Sequence, residues 1–130
     1  MRKQKSMKES TITSRYLLMP EHANPAGIAF GGTILSWIDI TASMCAMRFA
    51  ETNVLTVKID CTNFLKPVAI GDHAIIEASV SSTGNTSLEV TVTVYREHPF
   101  SGGREVATTS HLVFVAIDSD KKPTQVPEGT

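Results

Sequence analysis

The spacing of apolar positions changes period twice along this chain, and the changes mark its elements. Thr11 to Met19 (Thr-Ile-Thr-Ser-Arg-Tyr-Leu-Leu-Met) is rich in β-branched and aromatic residues, which predicts a first strand. Pro20 to Gly32 collects turn formers and two adjacent glycines, which predicts a loop. A helix is predicted from Thr33, a capping residue type, to about Glu51. Its apolar residues, among them Ile34, Trp37, Ile38, Ile40, Met44, Cys45 and Phe49, fall on every face, so it is expected to lie against a sheet and a second surface as well.

After Asn53 the period becomes 2. Val54–Phe64 reads as a strand stopped at Lys66-Pro67, His73–Thr83 as another, and Thr83-Gly84-Asn85 as a hairpin turn. Leu88 to Tyr95 alternates most cleanly, with Leu88, Val90, Val92 and Val94 on one face, and Arg104 to Ile117 makes a long final strand. The order predicts an α+β domain over residues 11–118, in which four long strands form an antiparallel meander round one central helix. Residues 1–10 are charged and polar and are expected to be a flexible start; residues 119–130 are expected to be a polar tail. Long strand edges and a spare helix face predict an oligomer.

A chain of 130 residues fits one domain. Its net charge of −1 lacks the basic excess of a nucleic-acid binder, so no nucleic acid is expected as a partner. The charged start has no apolar run behind it, and no segment reaches the roughly 18 apolar residues of a membrane span. No membrane association is expected, and the location is read as cytoplasmic. Cys45 and Cys61 sit in apolar stretches without CxxC spacing and are expected to be buried, reduced thiols. His22, His73, His98 and His111 show no ligand spacing, so no metal is expected, and His22 is near enough in sequence to Asn24 to line a site mouth.

One carboxylate, Asp39, stands in the apolar helix. It is either an aspartate at a solvent-facing or interface position, paired with an arginine, or a carboxylate held at an interface as nucleophile or general base. Gly31 and Gly32 lie at the helix start, where free amides and the positive end of the helix dipole can polarise a carbonyl oxygen. Asn24 brings an uncharged donor and acceptor from the same loop. Helical rise puts Gly31 and Asp39 roughly 12 Å apart, too far to meet one carbonyl. Two antiparallel helices across a two-fold axis solve this, with Asn24 and Gly31 from one subunit and Asp39 from its partner.

The segment Met19-Pro20-x-x-Ala23-Asn24-x-x-Gly27-x-x-Phe30-Gly31-Gly32-x-x-Leu35-x-x-x-Asp39, followed by Thr62-x-Phe64-Leu65-Lys66-Pro67-Val68-x-x-Gly71-Asp72, resembles the hotdog-fold acyl-CoA thioesterases. Within them it is most similar to the bacterial YciA group and the cytosolic acyl-CoA hydrolases of animals. The resemblance runs from about Thr11 to Gln125. It implies a sheet wrapped round a central helix, homodimers assembled into hexamers, and hydrolysis of acyl-CoA to fatty acid and coenzyme A without a metal or prosthetic group. It places the family's asparagine on Asn24, its aspartate on Asp39 and its polarising amide on Gly31, and leaves open whether Asp39 attacks directly or activates water. Phe30 stands where many members carry histidine.

Phe30, Gly32, Lys66, Gly84, Thr86 and Ser87 are further candidates for binding substrate. Lys66 is equally readable as a solvated loop lysine, and Thr83–Ser87 as a plain hairpin turn. Trp37, Ile38, Met44 and Phe64 are candidates for setting acyl-pocket depth. Two other functions fit the same fold: a dehydratase or hydratase of acyl thioesters, which needs a histidine beside the carboxylate, and a non-catalytic acyl-CoA-binding module.

Overall fold

Alternation in the second half of the chain becomes the inner wall of a sheet. A computed structural model describes residues 2–130. Its elements are β1 (Gln4–Lys5), β2 (Ile12–Leu17), a single 3₁₀ turn (Pro20–His22), α1 (Gly31–Ala50), β3 (Asn53–Phe64), β4 (His73–Thr83), β5 (Ser87–Glu97), β6 (Arg104–Ile117) and β7 (Glu128–Gly129). Leu88, Val90, Val92 and Val94 of β5 point inward with Leu112, Phe114 and Ala116 of β6, and all are buried. Against them α1 lays Ile34, Trp37, Ile38, Thr41, Ala42, Cys45, Ala46 and Phe49, a stripe at three- and four-residue spacing. Ile38 lies fully inside, so truncation to alanine there costs about 2–5 kcal/mol.

The main sheet is antiparallel with order β2-β4-β5-β6-β3. The expected meander holds for β4, β5 and β6 and fails for β3, which pairs with β6 at the far edge instead of with β4. α1 carries the chain across the sheet to that edge, and residues 65–72 carry it back to β4, beside β2. Alternation reveals a strand but not its neighbour. As an edge, β3 leaves Leu55, Val57 and Ile59 in solvent, and Ile40, Met44 and Met47 on the open side of α1 are exposed too.

Three local expectations are corrected. The helix begins at Gly31, not Thr33: Phe30 O accepts the amides of both Thr33 (3.1 Å) and Ile34 (3.2 Å), so the backbone closes the first turn with no side-chain cap. The termini pair with each other, Gln4 with Glu128 and Lys5 with Gly129. Lys5 Nζ donates to the carbonyls of Arg48 and Phe49 at the negative end of α1, and Val126 is buried in the core, which gives two polar segments a reason to order. Cys45 is buried as expected, whereas Cys61 is exposed at a bulge of β3 with φ +48°.

Candidate active site

The loop before α1 is closed by its own asparagine. Asn24 Oδ1 accepts the amides of Ala26 (2.9 Å) and Ile28 (3.1 Å), while the Asn24 amide donates to Ile28 O and its carbonyl accepts from Gly27. Gly27 sits at φ +79°, a conformation that disfavours any residue with a Cβ. Isolated bridges from Ala23 to Ala29 and from Ile28 to Ala69 fix the loop to the β3–β4 connection. With Oδ1 occupied, Asn24 has only its Nδ2 protons to offer a ligand, so of the two roles that sequence allowed it, only the donor remains.

That loop delivers the chain to Gly31, where the helix dipole begins. Among the described residues the amides of Gly31 and Gly32 have no acceptor, as expected for the first turn of a helix. Phe64, at the end of β3, lays its ring over Gly31: a Cβ added there would stand 3.4 Å from the ring. Nothing lies within 4 Å of the corresponding position on Gly32, so a side chain there would meet open space.

Asp39 stands two turns further along, half-buried rather than enclosed. The premise of a carboxylate sunk in an apolar helix does not hold within one chain, because the apolar residues beside it, Ile40 and Met44, are themselves exposed. Its partner is a hydroxyl: Thr56 Oγ1 on β3 donates to Asp39 Oδ1 at 2.8 Å, and no arginine pairs with it among the described residues. Thr56 was missed from the sequence. The available signal was a hydroxyl inside the apolar run Val54-Leu55-Thr56-Val57, on the strand that follows the helix.

Other candidates divide by position. His22 is structural: its Nδ1 accepts the Met19 amide and its ring meets Trp37 edge-on at 5.0 Å, while Tyr16 stacks on the same indole at 4.3 Å. Lys66 stands near the Gly31 end with its Nζ 3.6 Å from Glu105. Arg96 is held by Pro67 O, Asp72 and Glu105. Gly84, Thr86 and Ser87 lie at the other end of β4 and β5, roughly 30 Å away along the strands. Within one chain they do not reach Asn24, Gly31 or Asp39. Gly84 N donates to Ser87 O, and Arg2 reaches Gly84 O, so this turn is a closed hairpin.

Beside Gly31 a cavity of about 300 Å³ opens, lined by Ile28, Ala29, Ile34, Val68 and Thr108, with Phe64, Leu65, Lys66 and Pro67 toward the outside. Of the four expected depth-setting residues only Phe64 lines it. Trp37 and Ile38 belong to the core and Met44 to the open helix face. Among the described residues no three metal-ligating side chains gather, and no helix is long and apolar enough to cross a membrane.

Comparison with known proteins decides the family. Residues 26–99, which run from the Asn24 loop through α1 to β5, match the thioesterase superfamily. The chain belongs to that superfamily. It is 40% identical to YkhA of Bacillus subtilis, an uncharacterized acyl-CoA thioester hydrolase, over 92% of this chain and 70% of that protein. It is 34% identical to the acyl-CoA thioester hydrolase YciA of Salmonella typhimurium, over 92% of each. Among solved structures it is similar to an acyl-CoA hydrolase from Staphylococcus aureus in complex with butyryl coenzyme A and coenzyme A (36% identity, TM-score 0.93, 98% of this chain and 77% of that one). That enzyme has also been solved with an aspartate, an asparagine or a threonine replaced by alanine. A further match is a hexameric acyl-CoA thioesterase (34% identity, TM-score 0.94, 98% of this chain and 82% of that one). The expected hotdog fold and the expected hydrolase family are both met.

Proposed function

We infer that this chain hydrolyses acyl-CoA thioesters at sites shared between two copies of itself. The observation that carries the reading is that Asp39, held by Thr56 of β3, lies on the same helix as the unoccupied Gly31 amide but out of its reach. The residue types replaced in the Staphylococcus aureus enzyme recur here as Asn24, Asp39 and Thr56, in the same order and at the same separations.

In the proposed reaction the thioester carbonyl oxygen accepts from the Gly31 amide, with Asn24 Nδ2 as a second donor. Asp39 of the second copy, oriented by Thr56, attacks the acyl carbon or takes a proton from a water that attacks it. The carbon–sulfur bond breaks and coenzyme A leaves as thiolate; on the direct route water then cleaves the acyl–Asp39 anhydride, and on either route water supplies the hydroxyl of the acid and the proton that the thiolate takes up. No metal or cofactor is required by these steps. The exposed edge strand β3 and the open face of α1, with Leu55, Val57, Ile40 and Met44, support a homodimer. The hexameric relative supports assembly of such dimers into a hexamer, in which Gly84, Thr86, Ser87 and Lys66 would meet the nucleotide end of the substrate across subunits. A dehydratase reading is disfavoured because the partner of Asp39 is a hydroxyl, not an imidazole.

The test is thiol release from a panel of short, medium and long acyl-CoAs, wild type beside Asp39→Ala. Release by wild type and a fall of at least about a hundredfold in the variant are expected, with oligomer and coenzyme A binding retained. Coenzyme A binding without hydrolysis of any thioester would support the binding module instead.

A further inference from the structure

The inner face of β6 breaks its own pattern at one end. Leu112, Phe114 and Ala116 meet the helix as apolar side chains, yet the next two positions of that alternation are hydroxyls, Ser110 and Thr108, at 5% and 1% exposure, before the chain reaches the buried Ala107. Departures from an otherwise consistent pattern gather at functional sites. Ser110 is satisfied by Thr62 Oγ1 at 2.7 Å. The Thr108 hydroxyl has no hydrogen-bond partner among the described residues. None of their fully enclosed polar side-chain atoms is unpaired, so this oxygen reaches the cavity that Thr108 lines.

The remaining deep wall of that cavity is apolar: Ile28, Ala29, Ile34 and Val68. Ile34, Val68 and Thr108 are core residues, so the cavity ends inside the protomer, while Phe64, Leu65 and Lys66 stand exposed at its mouth. Of the two arms of an acyl-CoA, the coenzyme arm must return to water with its phosphates. Only the acyl arm can end in a blind pocket. An acyl chain of pure hydrocarbon would leave the Thr108 hydroxyl unpaired, whereas a chain carrying an oxygen would satisfy it.

We propose that Thr108 is a specificity determinant, and that the preferred substrates are short acyl thioesters bearing a hydroxyl or keto oxygen on the acyl chain. This rests on the hydrolase reading. The experiment compares kcat/KM for 3-hydroxybutyryl-CoA and butyryl-CoA in wild type, Thr108→Val and Thr108→Ser. The ratio of hydroxyacyl to plain acyl turnover is expected to fall about threefold to tenfold in the valine variant and to return in the serine variant. An unchanged ratio overturns the proposal, including the case where both substrates slow in parallel, which would assign the hydroxyl to the coenzyme arm. Failure of wild type to hydrolyse either thioester overturns the hydrolase reading beneath it.

Discussion

Thr56 and Asp39 join the edge strand to the central helix through one hydrogen bond, Oγ1 to Oδ1 at 2.8 Å. The bond holds one carboxylate oxygen, and the other has no hydrogen-bond partner among the described residues. A hydrogen bond to a charged acceptor contributes about 1.5–3 kcal/mol. Thr56→Val is therefore expected to lower kcat about tenfold to hundredfold, and Thr56→Ser to recover most of it. Because Thr56 is exposed, thermal unfolding should move little; a large loss of stability with normal turnover would remove the residue from the site.

Gly31 is held against an aromatic ring. The 3.4 Å gap to Phe64 is the near limit of ordinary contact, so Gly31→Ala sets a methyl directly against the ring at the mouth of the cavity. The expected outcome is a raised KM and a lowered kcat/KM for acyl-CoA, with part of the loss recovered by combination with Phe64→Leu, which removes the ring that the methyl meets. Gly27→Ala is a different lesion: at φ +79° it should cost about 1–2 kcal/mol of folding stability, seen as a lower Tm.

His111, on the outer face of the sheet, separates pH effects on folding from pH effects on catalysis. Its Nδ1 donates to Asp60 (2.7 Å) and its Nε2 to Glu89 (2.8 Å), an arrangement that needs both nitrogens protonated. The hydrogen bond to Asp60 leads in raising its pKa above the usual 6.5, and burial opposes it. In return the imidazole, with Lys58, holds the Asp60 carboxyl below its usual range. A raised histidine pKa stabilises the fold fully below the unfolded value and is lost as pH rises through the folded one. The Asp60 contribution has the opposite sense: present above its unfolded pKa, lost as pH falls through its depressed value. Wild type should therefore exceed His111→Gln in Tm most near pH 5–6, with the gap narrowing toward pH 9. A gap that widened with pH would refute the paired imidazolium.

Thiol chemistry should distinguish the two cysteines. Burial pushes the Cys45 thiol up to about 11, and its Sγ donates to Ser10 O at 3.3 Å, so it stays protonated and enclosed. Cys61 is exposed at the β3 bulge. Iodoacetamide on the native chain is expected to modify Cys61 alone, and both thiols after denaturation. Peptide mass mapping reads the result.

Much of this was legible before any coordinates. Leu88, Val90, Val92 and Val94 alternated and are buried; the helix around Ile38 and Cys45 was present in its apolar spacing. The place of β3 was not legible, because period-2 alternation is satisfied by either neighbour, and the sheet order depends on how α1 crosses it. The candidate site divides the same way. Asn24, Gly31 and Asp39 could be named from residue type and loop context. Thr56 and Thr108 could not, since each is defined by what stands across from it: a carboxylate on the helix in one case, an apolar cavity in the other. The tail gave Val126 no special mark, yet it enters the core once the termini pair.

The exposed edge of β3 makes chain concentration a variable of the proposed catalyst. If each site takes Asn24 from one copy and Asp39 from another, the lone protomer is not a slow enzyme but an incomplete one. Specific activity should then fall on dilution below the dimer's dissociation constant, and Tm should rise with protein concentration by mass action. Val57→Glu, at a position 60% exposed on that edge, should bring the fall to higher concentrations without unfolding the chain, as sedimentation and circular dichroism would record. The cell would set the activity of such a protein by how much of it is made, more steeply than in proportion.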